Sequence, residues 1–213
     1  MVVRSAGITP SDAVLKTYMS LASASIIDAT HTTGTVSWSF NSGAEAFDYL
    51  AAGEHLTLTY TIQVTDSSGA TANQTVVITI NGTNDAPVIT NGPDTASLSE
   101  TNAALSTTGT LTVTDLDYSN TVVATVDTLV VSGTSNRSDA AAPSDATLKA
   151  MLSVTPTAIL DATHTTATLT WNFASTPEAF NYLAAGETLI LTYTVKATDS
   201  NGTPASGTST VTI

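Results

Sequence analysis

The chain has 213 residues, 42% of them apolar, with 18 acidic and five basic side chains and a formal net charge of −13. A hydrophobic core is attainable at that apolar content, because disorder requires low hydrophobicity together with high charge, and only 11% of the residues are charged. So few Lys and Arg exclude a phosphate-binding surface and hence nucleic acid as a partner, and the absence of Cys excludes disulfides and thiolate metal sites.

The first residues, MVVRSAGITP, lack the apolar core of a signal peptide, and no apolar run approaches the ~18 residues of a membrane-spanning helix. Any export address is therefore expected outside this chain, with no membrane insertion within it. PSDAVLK at 10–16 returns as PSDATLK at 143–149, an offset of 133 (143 − 10). The same offset carries DATHTT from 28–33 to 161–166, EAFDYLAAGE from 45–54 to EAFNYLAAGE at 178–187, and LTYTIQVTDSSG from 58–69 to LTYTVKATDSNG at 191–202. Ile80 then corresponds to Ile213, and 88–135 has no counterpart upstream. Units of this size are self-contained domains rather than solenoid turns. The expected division is a truncated C-terminal part of one repeat over 1–84 and one nearly complete repeat over 85–213. The first, without its early strands, is expected to be weakly stable.

Between the copies, TVVITI at 75–80 reads as a strand, NGTNDAP at 81–87 as a joint, and PVIT as the start of the next unit. GTLTVTDLD at 109–117 alternates apolar and polar residues and predicts a half-buried strand; NTVVATVDTLVVSG at 120–133 is rich in β-branched residues and predicts one or two more. PSDATLKAML predicts a short helix with Ser144 as its N-cap. ATLTWNF at 167–173 places Leu169, Trp171 and Phe173 on one face. STPEAFNYL predicts a second short helix beginning near Pro177 and Glu178. TLILTYTVKATD at 188–199 aligns Leu189, Leu191, Tyr193, Val195 and Ala197, Asn201-Gly202 predicts a hairpin turn, and TSTVTI closes the unit. About seven strands predict an all-β, antiparallel Greek-key sandwich of the immunoglobulin or cadherin kind, with Trp38, Trp171, Tyr60 and Tyr193 as core anchors.

Catalytic chemistry finds little support. His31 and His164 are lone histidines in a polar turn, His55 becomes Thr188 in the second copy, Asp48 becomes Asn181, and neither a nucleophile elbow nor a phosphate loop is present. The chain is not expected to be an enzyme. The acids at strand ends are more informative. In an antiparallel sandwich the strands 109–115 and 188–198 both run toward the pole where the unit begins, which gathers Asp115, Asp117 and Asp199 near Asn84 and Asp85, with Glu54 from the preceding unit facing them. Four Asp and one Glu repel each other unless a hard cation joins them, and six to eight oxygens at about 2.3–2.6 Å suit Ca²⁺. The plainer reading is that they are solvated turn formers.

GTLTVTDLD, FNYLAAGETLILTYTVKATDSNG and VVITINGTNDAPV together resemble the VCBS repeat, over nearly the whole chain. VCBS repeats occur in tandem in very large bacterial surface proteins, many of them RTX-type adhesins tied to biofilm formation. More distantly the unit is similar to cadherin repeats: TDLD resembles their DxD motif, ATDSNGTP their AxDxGxP motif, LAAGE their LDRE and TNDAP their DxNDNAP linker. This resemblance implies Glu54, Asn84, Asp85, Asp115, Asp117 and Asp199 as Ca²⁺ ligands at the central joint. It also implies Glu100 and Glu187 as ligands for a following joint and Asp66 for a preceding one. Asn81 and Gly82 replace the cadherin linker's leading Asp, and LAAGE keeps only the Glu, so fewer ions per joint are implied.

The function this reading expects is a spacer module of an extracellular bacterial adhesin, rigidified by Ca²⁺. Its partners would be neighbouring repeats, with adhesion to host or biofilm ligands left to other domains. A glycan- or protein-binding module, marked by exposed aromatics, and an accessory domain of a secreted hydrolase are the alternatives.

Overall fold

The computed structural model describes residues 2–4, 10–22, 26–28, 30–161, 163–176, 180–201 and 206–213. It divides into two compact units, Met1–Thr83 and Asn84–Ile213. Asn84 therefore falls with the second unit, one residue earlier than the expected division between 84 and 85. Among the described residues no helix is long and apolar enough to cross a membrane.

The first unit contains β1 (Val2–Arg4), α1 (Asp12–Thr17), β2 (Met19–Leu21), β3 (Trp38–Phe40), β4 (His55–Thr65) and β5 (Thr71–Asn81). They form a three-stranded sheet ordered β1-β4-β5 and a β2-β3 pair. Its core is small: Leu15, Phe47, Leu50, Leu56 and Leu58 are buried, with Tyr18, Phe40, Tyr49, Tyr60, Ile78 and Ile80 packed partly against them.

The second unit contains β6 (Val88–Ile89), β7 (Asp94–Thr95), β8 (Ser106–Thr114), β9 (Val122–Gly133), α2 (Asp145–Ala150), β10 (Leu152–Thr155), β11 (Ala158–Leu160), β12 (Thr166–Ala174), β13 (Leu189–Asp199) and β14 (Ser206–Thr212). One sheet is ordered β10-β12-β8-β6 and the other β11-β9-β13-β14-β7. This is the strand order of an immunoglobulin-type sandwich, in which the first strand divides between the two sheets. The β14–β7 pair is parallel and every other pair antiparallel. The expectation of about seven strands omitted β7, β10 and β11, each four residues or fewer and too brief to show a period.

Alternation builds the core. Leu111 and Val113 on β8, Leu169, Trp171 and Phe173 on β12, and Leu191, Tyr193, Val195 and Ala197 on β13 are all buried between the sheets. Each large apolar side chain contributes about 1.5–3 kcal/mol by leaving water. Ser144 caps α2 by accepting from the Thr147 N–H, as the sequence predicts. The helix end is tied to the core by Tyr193, whose hydroxyl donates to the Leu148 carbonyl at 2.7 Å; Tyr60 makes the same bond to Leu15 in the first unit, also at 2.7 Å.

Two expectations are corrected. Pro177 and Glu178 lie outside the described residues, but the segment that follows is a turn and not a helix. Phe180 has φ 58°, as its counterpart Phe47 has φ 61°, and a left-handed residue ends any helix there. Trp38 is no core anchor either: it is 44% exposed, whereas Trp171 is 1% exposed. Trp171 sits between β8 and β10, faces Gly109 across the ladder and donates its indole N–H to Asp94 at 2.8 Å. Among the described residues β3 pairs only with β2, so Trp38 has no strand on the side that β8 takes beside β12.

Two outcomes follow from this packing. A Cβ at Gly109 would stand 2.5 Å from both the Asp94 carboxylate and the Trp171 ring, so Gly109→Ala is expected to lower stability by about 1–3 kcal/mol in urea unfolding followed by tryptophan emission. Residues 1–83 alone, with five buried core residues against nineteen in the second unit among the described residues, are expected to unfold at a lower urea midpoint than residues 84–213 alone.

Candidate metal centre

The period-two alternation does not stop where the apolar residues stop. Leu111 and Val113 point into the core, and the next two positions on that face are Asp115 and Asp117. Val195 and Ala197 point inward, and the next position is Asp199. All three acids are buried, at 3%, 2% and 5% exposure. Pairing of β6 with β8 sets Val88 opposite Thr114, which brings Asn84 and Asp85 alongside Asp117. Pairing of β13 with β9 sets Asp199 opposite Val122, close after Asn120. Three segments, 84–85, 115–120 and 199–201, thus meet at one end of the sandwich, as the predicted strand directions require.

Hydrogen bonds hold them in place. The Asp85 N–H donates to Asp117 Oδ2 at 2.9 Å, and the Asn84 side-chain amide donates to Asp199 Oδ2 at 2.8 Å. The Asp117 N–H donates to Asp115 Oδ1 at 3.0 Å, and the Asn201 N–H to Asp199 Oδ1 at 3.0 Å. Asn120, which sequence reasoning missed, is buried at the centre. Its amide donates to Asp117 Oδ2 at 2.9 Å and to Asn84 Oδ1 at 3.4 Å, while its carbonyl oxygen accepts from Ser200 at 3.3 Å and Asn201 at 3.2 Å. Its only sequence signal is its place three residues after Asp117, which many ordinary turn residues share.

These donors do not reach every oxygen. Asp115 Oδ2 and Asp117 Oδ1 are buried and have no hydrogen-bond partner among the described residues. Burial pushes both carboxyls up from 3.8 to about 6; the charges of Asp199 and Asp85 act in the same direction, as does Asp115 on Asp117, while one backbone N–H on each opposes the shift. Two buried acids beside further acids, each with one oxygen unmet, is an arrangement that a cation relieves. The donor set is all oxygen, which suits a hard ion and not a soft one. The donors are not gathered into a ready coordination sphere, however: among the described residues no three acidic or histidine side chains form a metal-holding group as they stand. Amide N–H groups engage several of the oxygens that a cation would use, so binding requires those hydrogen bonds to be exchanged for coordination.

The remaining candidates are placed elsewhere. Glu54 belongs to the first unit, where its carboxylate accepts from the Ala51 N–H at 3.0 Å; Glu187 accepts from Ala184 at 2.9 Å in the equivalent turn. Asp66 is exposed, and its carboxylate accepts from Ser68 and Ala70, both at 2.8 Å, in the β4–β5 hairpin. Glu100 accepts from the Asn102 N–H at 2.6 Å, and with Glu187 it lines a groove at the other end of the second unit. His31 and His164 each pair through Nδ1 with the aspartate three residues before, Asp28 and Asp161, in exposed turns.

The raised carboxyls predict a pH dependence. Both titrate near 3.8 in the unfolded chain and near 6 in the fold, so between those values the folded protein holds more protons, and its stability falls as pH rises. In a chelating buffer, urea unfolding at pH 4.5, 5.5 and 7 is expected to show Asp115→Asn gaining on the wild type by up to on the order of 2 kcal/mol toward pH 7. A difference that stays flat across this range would contradict the burial of the charge. In comparison with known proteins, no family model, no curated protein and no solved structure matches the chain.

Proposed function

We propose that the chain is a structural spacer module of a tandem-repeat protein on a bacterial surface, and that a Ca²⁺ ion fixes its incoming segment to the second sandwich. The observation that carries the reading is the pair of buried carboxylate oxygens without donors, Asp115 Oδ2 and Asp117 Oδ1, beside the segment Asn84–Asp85 through which the unit is entered. Asp85, Asp115, Asp117 and Asp199 supply hard anionic oxygens, and Asn84 can add its amide oxygen once the side chain turns. The bound ion would neutralise the mutual repulsion of the acids. Without it, protons or loosening of the segment must do so.

The spacer role rests on the repeat and on the VCBS resemblance, which also carry the extracellular location, the neighbouring repeats as partners and the adhesin context. A glycan-binding module would need exposed aromatics. In the second unit Trp171, Phe173, Phe180 and Tyr193 are buried, which favours the structural reading.

Calcium is expected to raise the thermal midpoint of the second unit, with about 2.7 kcal/mol of stabilisation at a concentration a hundred times Kd. Asp117→Asn should remove most of that gain while the chelated protein stays folded. An unchanged midpoint in millimolar Ca²⁺, or an equal rise in the variant, would reject the site. For the spacer role, small-angle scattering of a chain of several repeats should give a longer maximum dimension in Ca²⁺ than in EGTA; equal dimensions would rule the role out.

A further inference from the structure

Two carboxylate oxygens at the end of the second sandwich, Asp115 Oδ2 and Asp117 Oδ1, are buried without a partner among the described residues. A hard cation such as Ca²⁺ takes about six to eight oxygens, so two do not suffice. The rest must come from oxygens that already accept hydrogen bonds. One side chain engages two of these at once. The Asn120 amide nitrogen donates to Asp117 Oδ2 at 2.9 Å and to Asn84 Oδ1 at 3.4 Å.

The surroundings of Asn120 fix it as a donor toward the acids. The residue is buried, and its backbone N–H donates to the Asp117 carbonyl at 3.1 Å. Its Oδ1 points the other way, accepting from the Ser200 hydroxyl at 3.3 Å and from the Asn201 amide at 3.2 Å. Both of those donors are held in turn. The Ser200 hydroxyl oxygen accepts from the Thr121 N–H at 3.3 Å, and the Asn201 N–H donates to Asp199 Oδ1 at 3.0 Å. Turning the Asn120 amide over would set its own N–H groups against the Asn201 donor and take them from their acceptors, a loss that a buried amide cannot make good with water. Asn120 therefore does not offer its oxygen to an ion at this centre; it covers oxygens that an ion would use.

We propose that Asn120 sets the affinity of the centre for Ca²⁺ by competing with the ion: its amide occupies Asp117 Oδ2 and Asn84 Oδ1 in the ion-free state and gives them up on binding. The inference rests on the calcium reading above and adds the residue that fixes the concentration at which the ion enters. A group that bonds the ion-free state more strongly than the bound state stabilises the first and weakens binding by the difference. Asn120 is thus a positioning residue and not a ligand. Its removal moves two measurable quantities in opposite directions: the ion-free fold becomes less stable, and the ion binds more tightly.

The test measures Ca²⁺ binding to the full chain by titration calorimetry at pH 7.5, and the thermal midpoint of the same protein in EDTA. Asn120→Leu keeps a side chain of similar shape but removes the donor; it is expected to lower the midpoint in EDTA and to lower Kd by about three- to tenfold. Loss of a ligand would raise Kd, and loss of a merely structural contact would leave it unchanged; either result overturns the proposal while the calcium reading stands. Asn201→Ala, in an exposed turn, removes one of the two donors that orient the Asn120 amide, and is expected to lower Kd by a smaller factor. Should Asn120→Leu fail to fold in EDTA by circular dichroism, this variant decides, and an unchanged or raised Kd in it overturns the proposal. A wild type that binds no Ca²⁺, with neither heat nor a shifted midpoint, would overturn the calcium reading and this inference with it.

Discussion

The second unit depends on a conflict between pattern and charge. The β-strand period that carries Leu111, Val113, Val195 and Ala197 inward also carries Asp115, Asp117 and Asp199 inward, because side-chain direction follows backbone geometry and not polarity. An isolated buried carboxylate is costly unless it is paired, protonated or bonded to donors. The fold meets part of that demand with the backbone N–H groups of Asp85, Asp117 and Asn201 and with the amides of Asn84 and Asn120. The incoming segment is held in place because its donors are needed by these acids. The deficit that remains is local: two oxygens and two raised carboxyls at one end of the sandwich.

The two copies show that completeness of the sandwich, more than local sequence, decides what a residue does. Asp66 and Asp199 occupy equivalent positions at the ends of equivalent strands. Asp199 is covered by residues 84 and 120–122 and is buried; Asp66 has no such cover in this chain and is exposed, its carboxylate turned to its own hairpin. Trp38 and Trp171 differ in the same way. The Tyr60–Leu15 and Tyr193–Leu148 bonds, by contrast, need only strand and helix from within the copied segment, and they are alike in both units.

This also explains what was legible in the sequence. Long alternating segments declared β8, β12 and β13, the strand directions followed from them, and so the meeting of Asp115, Asp117 and Asp199 with Asn84 and Asp85 could be read in advance. The short helix was legible from Ser144 and its apolar spacing. Asn120 was not legible, because its role arises from three segments converging on its amide and nothing nearby in sequence marks it. The turn at Phe180 was misread because Pro and Glu suit a helix start, whereas the left-handed φ that ends it leaves no composition signal in a phenylalanine. The two-residue difference between the hairpins, with Leu58 opposite Ile78 but Leu191 paired with Ile213, is hidden by an ungapped repeat, since pairing register is set by turn geometry and not by sequence distance.

The segment 81–85 is held by two unlike kinds of chemistry. Gly82 is fixed to the first unit by shape and a main-chain bond, which depend on neither pH nor ions. Asn84 is fixed to the second unit through Asp199, and Asp85 through Asp117, whose carboxyl burial pushes up to about 6. Among the described residues nothing bonds to Thr83, which stands between them. Protonation of Asp117 therefore acts on the hydrogen bond of Asp85, on the second-unit side of Thr83. The Gly82 bond to the Glu54 carbonyl lies on the other side of Thr83 and is a main-chain bond that involves no carboxyl group.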